Sequence, residues 1–258
     1  MEIPLFPLHT VLCPGVVLPL HVFEDRYRAL VRHCVETGGP FGIVLIRAGR
    51  EVGPTSGQRL ASIGTVVEIR EAGRYIDGRY DLLVAGTGRF AIETVDAASA
   101  PYLVGDVTIL DEDVGDEDVA TSLASAAIER FVDYLSLARA RAGESEQVFD
   151  VRVEIDAPPD DVELATEVEV TVEDVLGEAA RGPSSRARLG IPEDPTTLSY
   201  LLSGIVAIEP PRRQALLEAA TTVDRLAALT ALLDREILFL RHRLRLFAPE
   251  AAALVRRS

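Results

Sequence analysis

Arg74-Tyr75-Ile76-Asp77-Gly78-Arg79-Tyr80-Asp81-Leu82-Leu83-Val84-Ala85 is the stretch that decides the fold class. Asp77-Gly78 stands between two runs rich in aromatic and branched residues. A tight primed turn needs positive φ, so the segment reads as a β-hairpin. Beyond it, Gly86-Thr87-Gly88 predicts a second turn, leading into a strand over Arg89-Phe90-Ala91-Ile92-Glu93-Thr94-Val95. Upstream, Thr65-Val66-Val67-Glu68-Ile69 is rich in β-branched residues, and Phe41-Gly42-Ile43-Val44-Leu45-Ile46 is a short apolar run suited to a buried strand. Strands at such close spacing indicate a compact antiparallel or barrel-like sheet. One helix interrupts them. Tyr27, Leu30, Val31, Cys34 and Val35 recur at helical spacing, Gly38-Gly39-Pro40 ends the segment, and the helix should cover one opening of the sheet.

After Leu110 the pattern changes from strand to helix. Residues 111–118 form a polar junction whose last acids lie where a helix start offers a positive dipole end. Leu123, Ala127, Phe131, Tyr134 and Ala138 then trace the apolar stripe of an amphipathic helix from Asp118 to Arg141. Residues 144–178 hold 13 acids and a single arginine, Arg152. Val151–Ile155 and Val168–Val172 alternate like strands there, and an acidic hairpin and a mobile insertion both fit. Gly182-Pro183-Ser184-Ser185 reads as a loop, and Pro195 takes the first position of a helix buried through Leu198, Leu201, Leu202, Ile205 and Val206. A short helix is expected from Gln214 to about Ala220, and a long one from about Thr222 to Phe247. The seam of the latter packs against the other helices or against a second chain. The reading is an α+β chain: a β-rich subdomain over 1–110, then a helical subdomain over 111–258 with an acidic insertion at about 144–181.

Composition removes several function classes. The chain of 258 residues has a formal net charge of -15, which opposes general nucleic-acid binding. All its basic side chains except histidine are arginines, and without lysine there is no Walker A loop, Ser-Lys dyad or Schiff-base lysine. No apolar run is long enough for a membrane span. Met1-Glu2-Ile3-Pro4 lacks a basic signal region, so a soluble, cytoplasmic chain is expected. Cys13 and Cys34 sit among apolar residues and read as core side chains rather than a disulfide framework or a thiolate site.

Motifs for chemistry are sparse. Gly86-Thr87-Gly88-Arg89-Phe90-Ala91 formally fits a dinucleotide fingerprint, but that fingerprint must open a helix and this one leads into a strand. His9, His21, His33 and His242 show no paired ligand spacing, and no nucleophile elbow or paired-cysteine motif is present. No catalytic residue, metal or cofactor is expected. A non-enzymatic binding protein is the consequence.

The opening carries the most specific signal: Ile3-Pro4-Leu5-Phe6-Pro7-Leu8, then Val11-Leu12-Cys13-Pro14-Gly15, then Leu18-Pro19-Leu20-His21-Val22-Phe23-Glu24-Asp25-Arg26-Tyr27. In order and spacing it resembles the amino-terminal substrate-binding domain of the Lon proteases. So do the Phe41–Ile46 run, Gly64-Thr65-Val66, Asp77-Gly78-Arg79-Tyr80 and the stretch from Gly86 to Phe90. Pro4, Pro7, Gly15, Pro19, His21, Glu24, Arg26, Gly78, Arg79, Gly86, Arg89 and Phe90 carry the motif and are expected to be structural. His21 is expected to be a packing residue, and Glu24 with Arg26 to cap the helix or form an internal ion pair. Cys13 departs from the family, which often has an aromatic residue there, and residues 144–178 depart as well.

The resemblance implies a β-rich subdomain of the pseudouridine-synthase-and-archaeosine-transglycosylase (PUA)-like type followed by a helical bundle. In full-length Lon this region helps to capture unfolded or degron-bearing proteins, while the chemistry belongs to ATPase and peptidase domains. The same fold serves an interaction role in cereblon. Partners expected by this resemblance are unfolded or client polypeptides and a separate Lon-type protease, with self-association through the last helix a further option. Phe6, Pro14, Phe23 and Tyr27 are the candidate peptide contacts, because prolines favour sheet edges where a peptide can dock. A regulatory adaptor using the helices or the acidic insertion is the alternative, and a small-molecule or RNA binder or an enzyme on the same fold is a third.

Overall fold

A computed structural model describes residues 1–51, 58–142, 164–169 and 188–255, with side chains over 1–51, 58–138 and 191–242. The insertion expected at 144–181 therefore lies outside the described residues except for 164–169. So does the loop expected at 182–185.

Two compact units are present, one holding residues 1–113 and 196–220, the other built from 114–142, 164–169, 188–195 and 221–255 among the described residues. In the first, β1 (Glu2–Leu8), β2 (Val17–Val22), α1 (Asp25–Thr37), β3 (Phe41–Ala48), β4 (Arg59–Leu60), β5 (Ile63–Arg74), β6 (Tyr80–Asp96) and β7 (Leu103–Leu110) follow in order. The sheet path runs β1-β7-β6-β5-β3, and β1 also pairs in parallel with β3, Leu5 opposite Gly42 and Leu8 opposite Leu45. That pairing closes five strands into a ring. Closure removes the open edges of those strands. Among the described strands of this unit, only β4, on β3, and β2, on β6, hang outside it.

The residues explain the ring. Along β1, Ile3 and Leu5 point into one cluster with Val66, Phe90, Leu103 and Val107, while Phe6 and Leu8 point into another with the buried face of α1. A strand covered on both faces alternates between two cores rather than between core and water. Gly42 and Gly64 let the Phe90 ring lie against the backbone, since a Cβ on either would come within 2.6 Å and 2.5 Å of it. α1 buries Tyr27, Leu30, Val31 and Cys34, and Gly38, at φ +66, stops it in the left-handed conformation. Each fully buried Leu or Val of this kind contributes about 1.5–3 kcal/mol relative to exposure.

Gly86-Thr87-Gly88 is not a turn. β6 runs unbroken through it, and the pairing with β5 slips there, Val66 opposite Gly88 but Val67 opposite Gly86, so that Thr87 is the extra residue of a bulge. The glycine serves close approach instead: a Cβ at Gly86 would lie 2.6 Å from the Cys13 carbonyl oxygen. The preceding hairpin forms as expected, but through a longer loop. Gly78 N–H reaches Tyr75 O, Tyr75 N–H reaches Arg79 O, and Gly78 takes φ +85.

Among the described residues this unit also holds two short helices, α3 (Pro195–Ile205), which belongs to it from Thr196 on, and α4 (Pro210–Leu217). α4 starts at the two prolines, ahead of the expected Gln214, because the first-turn N–H groups have no helical acceptor and proline loses nothing there. Tyr200 and Leu217 bury against Val11, Cys13, Val44 and Leu45. Arg89, 3% exposed, fastens the same join: it meets Glu112 through two nitrogens and donates to the Leu217 and Ala219 carbonyls at 3.0 and 2.7 Å.

In the second unit, α2 (Glu117–Ala142) and α5 (Thr222–Val255) lie side by side. Val223 N–H donates to Val114 O at their starts, Arg130 pairs with Asp234, and Asp133 meets Arg241 further along, so the two run in the same direction. Asp116 accepts from Val119 N–H and caps α2. Ala120, Ala124, Ala127, Phe131, Tyr134 and Leu135 on α2 are buried, as are Leu226, Leu229, Leu233, Ile237 and Leu240 on α5. β8 (Leu164–Glu169) pairs antiparallel with β9 (Arg188–Pro192).

Candidate functional site: a groove along the edge of β2

β2 is strand-like because Val17, Leu18, Leu20 and Val22 lie along β6, Val17 opposite Ala85 and Val22 opposite Tyr80. On its other side no strand is paired among the described residues. A groove of about 170 Å³ runs here, lined by every residue from Pro19 to Glu24 and closed by Phe6, Leu8, Tyr27 and Glu51. Successive side chains of a strand point to opposite faces. Lining by consecutive residues therefore places the groove along the strand edge, not on one face.

Three of the four expected peptide contacts meet in it. Phe6 and Tyr27 form its floor, stacked with ring centroids 4.1 Å apart and planes within 15°. The Arg26 guanidinium covers the Tyr27 ring at 4.3 Å, donates to Glu51 O at 3.0 Å and pairs with Glu24 at 3.2 Å. The expected internal ion pair is thus present, whereas Glu24 caps α1 with its backbone conformation and makes no side-chain cap bond. Phe6 and Tyr27 are 5% and 3% exposed, but Phe23 is 50% exposed at the rim. Pro14 is buried and is not among the residues lining the groove. The Tyr27 hydroxyl is buried without a hydrogen-bond partner among the described residues, and burial pushes its pKa up to about 12. It stays protonated at any physiological pH.

His21, expected to be a packing residue, is exposed and has a hydrogen-bond partner. It sits on the exposed edge strand, its Nδ1 2.6 Å from Asp81 Oδ1, with its ring 6.3 Å from both Phe23 and Tyr75. The Tyr75 hydroxyl also donates to Asp81, and these two hydrogen bonds, Tyr75 first, hold the Asp81 carboxyl below its ordinary range. Arg79 spans 5.4 Å to the Tyr75 ring and donates to Asp77 at 2.8 Å. This cluster holds up the hairpin tip, where Tyr75 is 46% exposed and Ile76 wholly so. Phe23, Tyr75 and Ile76 thus put apolar surface beside the groove. The first is legible in the opening motif; the tip pair had no signal beyond hairpin position.

A second, larger cavity of about 570 Å³ is lined by His9, Leu45, Ile46, Arg47, Arg59 and Gln214, together with Pro210 and Pro211. Arg47 pairs with Glu218, and Gln214 gives its amide N–H groups to Ile63 O and Glu218. None of these residues was expected to line a cavity, since they come from four separated segments. Among the described residues no cluster of His, Cys, Asp and Glu has the make-up of a metal site, and no helix is long and apolar enough to cross a membrane.

Comparison with known proteins agrees with this architecture. A family described as the ATP-dependent protease La (LON) substrate-binding domain matches residues 2–235. A Lon protease of Amoebophilus asiaticus is 34% identical over 102 residues, 40% of this chain and 12% of that protein. The chain thus matches only a small part of the length of this relative. In fold it is similar to a Lon N-terminal domain protein from Xanthomonas campestris, at 24% identity and TM-score 0.52, covering 90% of this chain and 98% of the other. It is similar also to the N-terminal domain of the Mycobacterium avium complex Lon protease, at 18% identity and TM-score 0.55, covering 91% and 98%.

Proposed function

The chain belongs to the Lon substrate-binding domain family, and from that premise we propose that it is a non-catalytic module that captures unfolded or degron-bearing polypeptides and passes them to a separate Lon-type protease. The observation that carries this reading is the meeting of Phe6, Phe23 and Tyr27 in one groove beside the exposed Tyr75 and Ile76. Large apolar side chains held in water by a well-packed scaffold mark interaction surfaces. Aromatic anchors in a partly desolvated groove also supply most of the free energy in such contacts.

The test uses reduced, carboxymethylated lysozyme as an unfolded probe and fluorescence anisotropy as the readout. Phe23→Ser and Ile76→Ser together should weaken binding about tenfold, equivalent to about 1.4 kcal/mol. Both side chains are exposed, so the melting temperature should hold. Unchanged affinity in the double variant would move the binding surface elsewhere.

A second reading rests on α5, where Leu238 and Phe239 are 70% and 47% exposed. That pair suits an adaptor or self-association role. A light-scattering mass that stays monomeric over a wide range of salt and concentration would exclude the self-association form.

A further inference from the structure

We infer that the groove receives its client as an added β-strand along the free edge of β2, and that it selects an apolar side chain flanked by basic ones. This deepens the client-binding reading above and rests on it.

The backbone supplies the first part of the argument. Gly86 N–H donates to Val16 O at 3.0 Å, and the regular register that follows pairs Leu18 with Val84, Leu20 with Leu82 and Val22 with Tyr80. In an antiparallel ladder the hydrogen-bonded pairs alternate with pairs whose groups face away. Residues 16, 18, 20 and 22 thus bond to β6, and Val17, Pro19 and His21 turn their backbone groups outward. Proline lacks an N–H, and Pro19 falls at one of the outward positions, where no ladder bond is lost. The free edge then offers two N–H donors, of Val17 and His21, and three carbonyl acceptors. This is the complement of an extended chain.

Volume and charge supply the rest. A space of about 170 Å³ is well under the roughly 300–1,000 Å³ of small-molecule pockets. It has room for one large apolar side chain. The charged side chains lining it are Glu51 and Glu24, the latter paired with Arg26, and the whole chain carries -15. Acidic neighbours on the client are repelled there, and arginine or lysine favoured.

The experiment uses the full chain, nitrogen-15 labelled, and the acetylated, amidated peptide Arg-Leu-Arg-Leu-Arg-Leu-Arg. Two further versions carry N-methyl groups on the leucines or on the inner arginines. In an added strand only alternate N–H groups face β2, so one methylated version should lose at least about tenfold in affinity and the other should bind nearly as the parent does. Amide exchange of Val17 and His21 should slow on binding, while Leu18, Leu20 and Val22 change little. A Glu-for-Arg peptide should bind at least about tenfold more weakly.

Equal binding of both methylated versions, or protection confined to other amides, overturns strand addition while leaving client capture standing. Failure of the peptide alongside retained capture of unfolded lysozyme does the same. Loss of both overturns the client reading as well. An acidic peptide that binds as well as the basic one removes the charge selection.

Discussion

Arg89 and Glu112 form a two-pronged ion pair, Nε to Oε1 at 2.9 Å and Nη2 to Oε2 at 3.3 Å, with the arginine side chain 3% exposed. The Tyr200 hydroxyl lies 2.7 Å from both carboxylate oxygens. β6, the segment after β7, α3 and the end of α4 are tied at one point. Removing one partner leaves a charge without its counterion in a poorly hydrated place. Glu112→Gln should therefore destabilise by about 3 kcal/mol, and Arg89→Lys should not rescue the two-pronged geometry. Urea unfolding of both variants checks this; a loss under about 1 kcal/mol would show that water replaces the pair.

Gly64 marks the tightest approach inside the ring. A Cβ there would lie 2.5 Å from the Phe90 ring and 2.6 Å from the Ile43 carbonyl oxygen. The ring could shift, but the backbone oxygen of a paired strand cannot move without breaking the ladder. Gly64→Ala should cost about 1–3 kcal/mol or more, whereas Gly88→Ala, with nothing within 4 Å, should be nearly neutral. Thermal melts of the two alanine variants separate these outcomes.

Tyr27 combines a stacked, buried ring with a hydroxyl lacking a partner among the described residues. An unsatisfied buried polar group costs about 1–3 kcal/mol, so Tyr27→Phe should be neutral or stabilising. Tyr27→Ala removes the ring and should cost about 3–5 kcal/mol. A lower melting temperature in Tyr27→Phe would mean that the hydroxyl finds an acceptor in solution.

Asp81 gives the tip of the hairpin an acid limit. Its folded pKa lies below the ordinary 3.8, held down by the Tyr75 hydroxyl and then by His21. A lowered folded pKa contributes stability that is present above the unfolded value and is lost as pH falls through the folded one. The Tyr75 ring resonances should thus show no step from Asp81 until the pH falls below 3.8, and should shift as that carboxylate is protonated. Movement of Tyr75 alone at higher pH would separate it from Asp81.

Much of the β-rich unit was legible in the sequence for local reasons. Apolar and branched runs marked β3, β5 and the hairpin, and the spacing from Tyr27 to Cys34 marked α1 with its glycine stop. The candidate site was legible in part. The opening motif pointed to Phe6, Phe23 and Tyr27, yet it could not separate buried floor from exposed rim, because all three are aromatics in apolar company. Tyr75, Ile76 and the cavity residues His9, Arg47, Arg59 and Gln214 gave no signal, since their roles depend on segments distant in the chain.

The sequence by itself determined that β3, β5, the hairpin, α1, α2, α3 and α5 form, where α1 stops and that the chain has no amine for lysine chemistry, because those features follow from local periodicity, φ preference and composition. Tertiary structure alone decided three matters. It closed the ring by setting β1 beside β3, since alternation fixes faces but not partners. It carried β6 straight through Gly86-Thr87-Gly88, since missing Cβ atoms serve a close approach as well as a turn. It left one side of β2 unpaired among the described residues, since an edge exists only once every neighbouring strand has been placed.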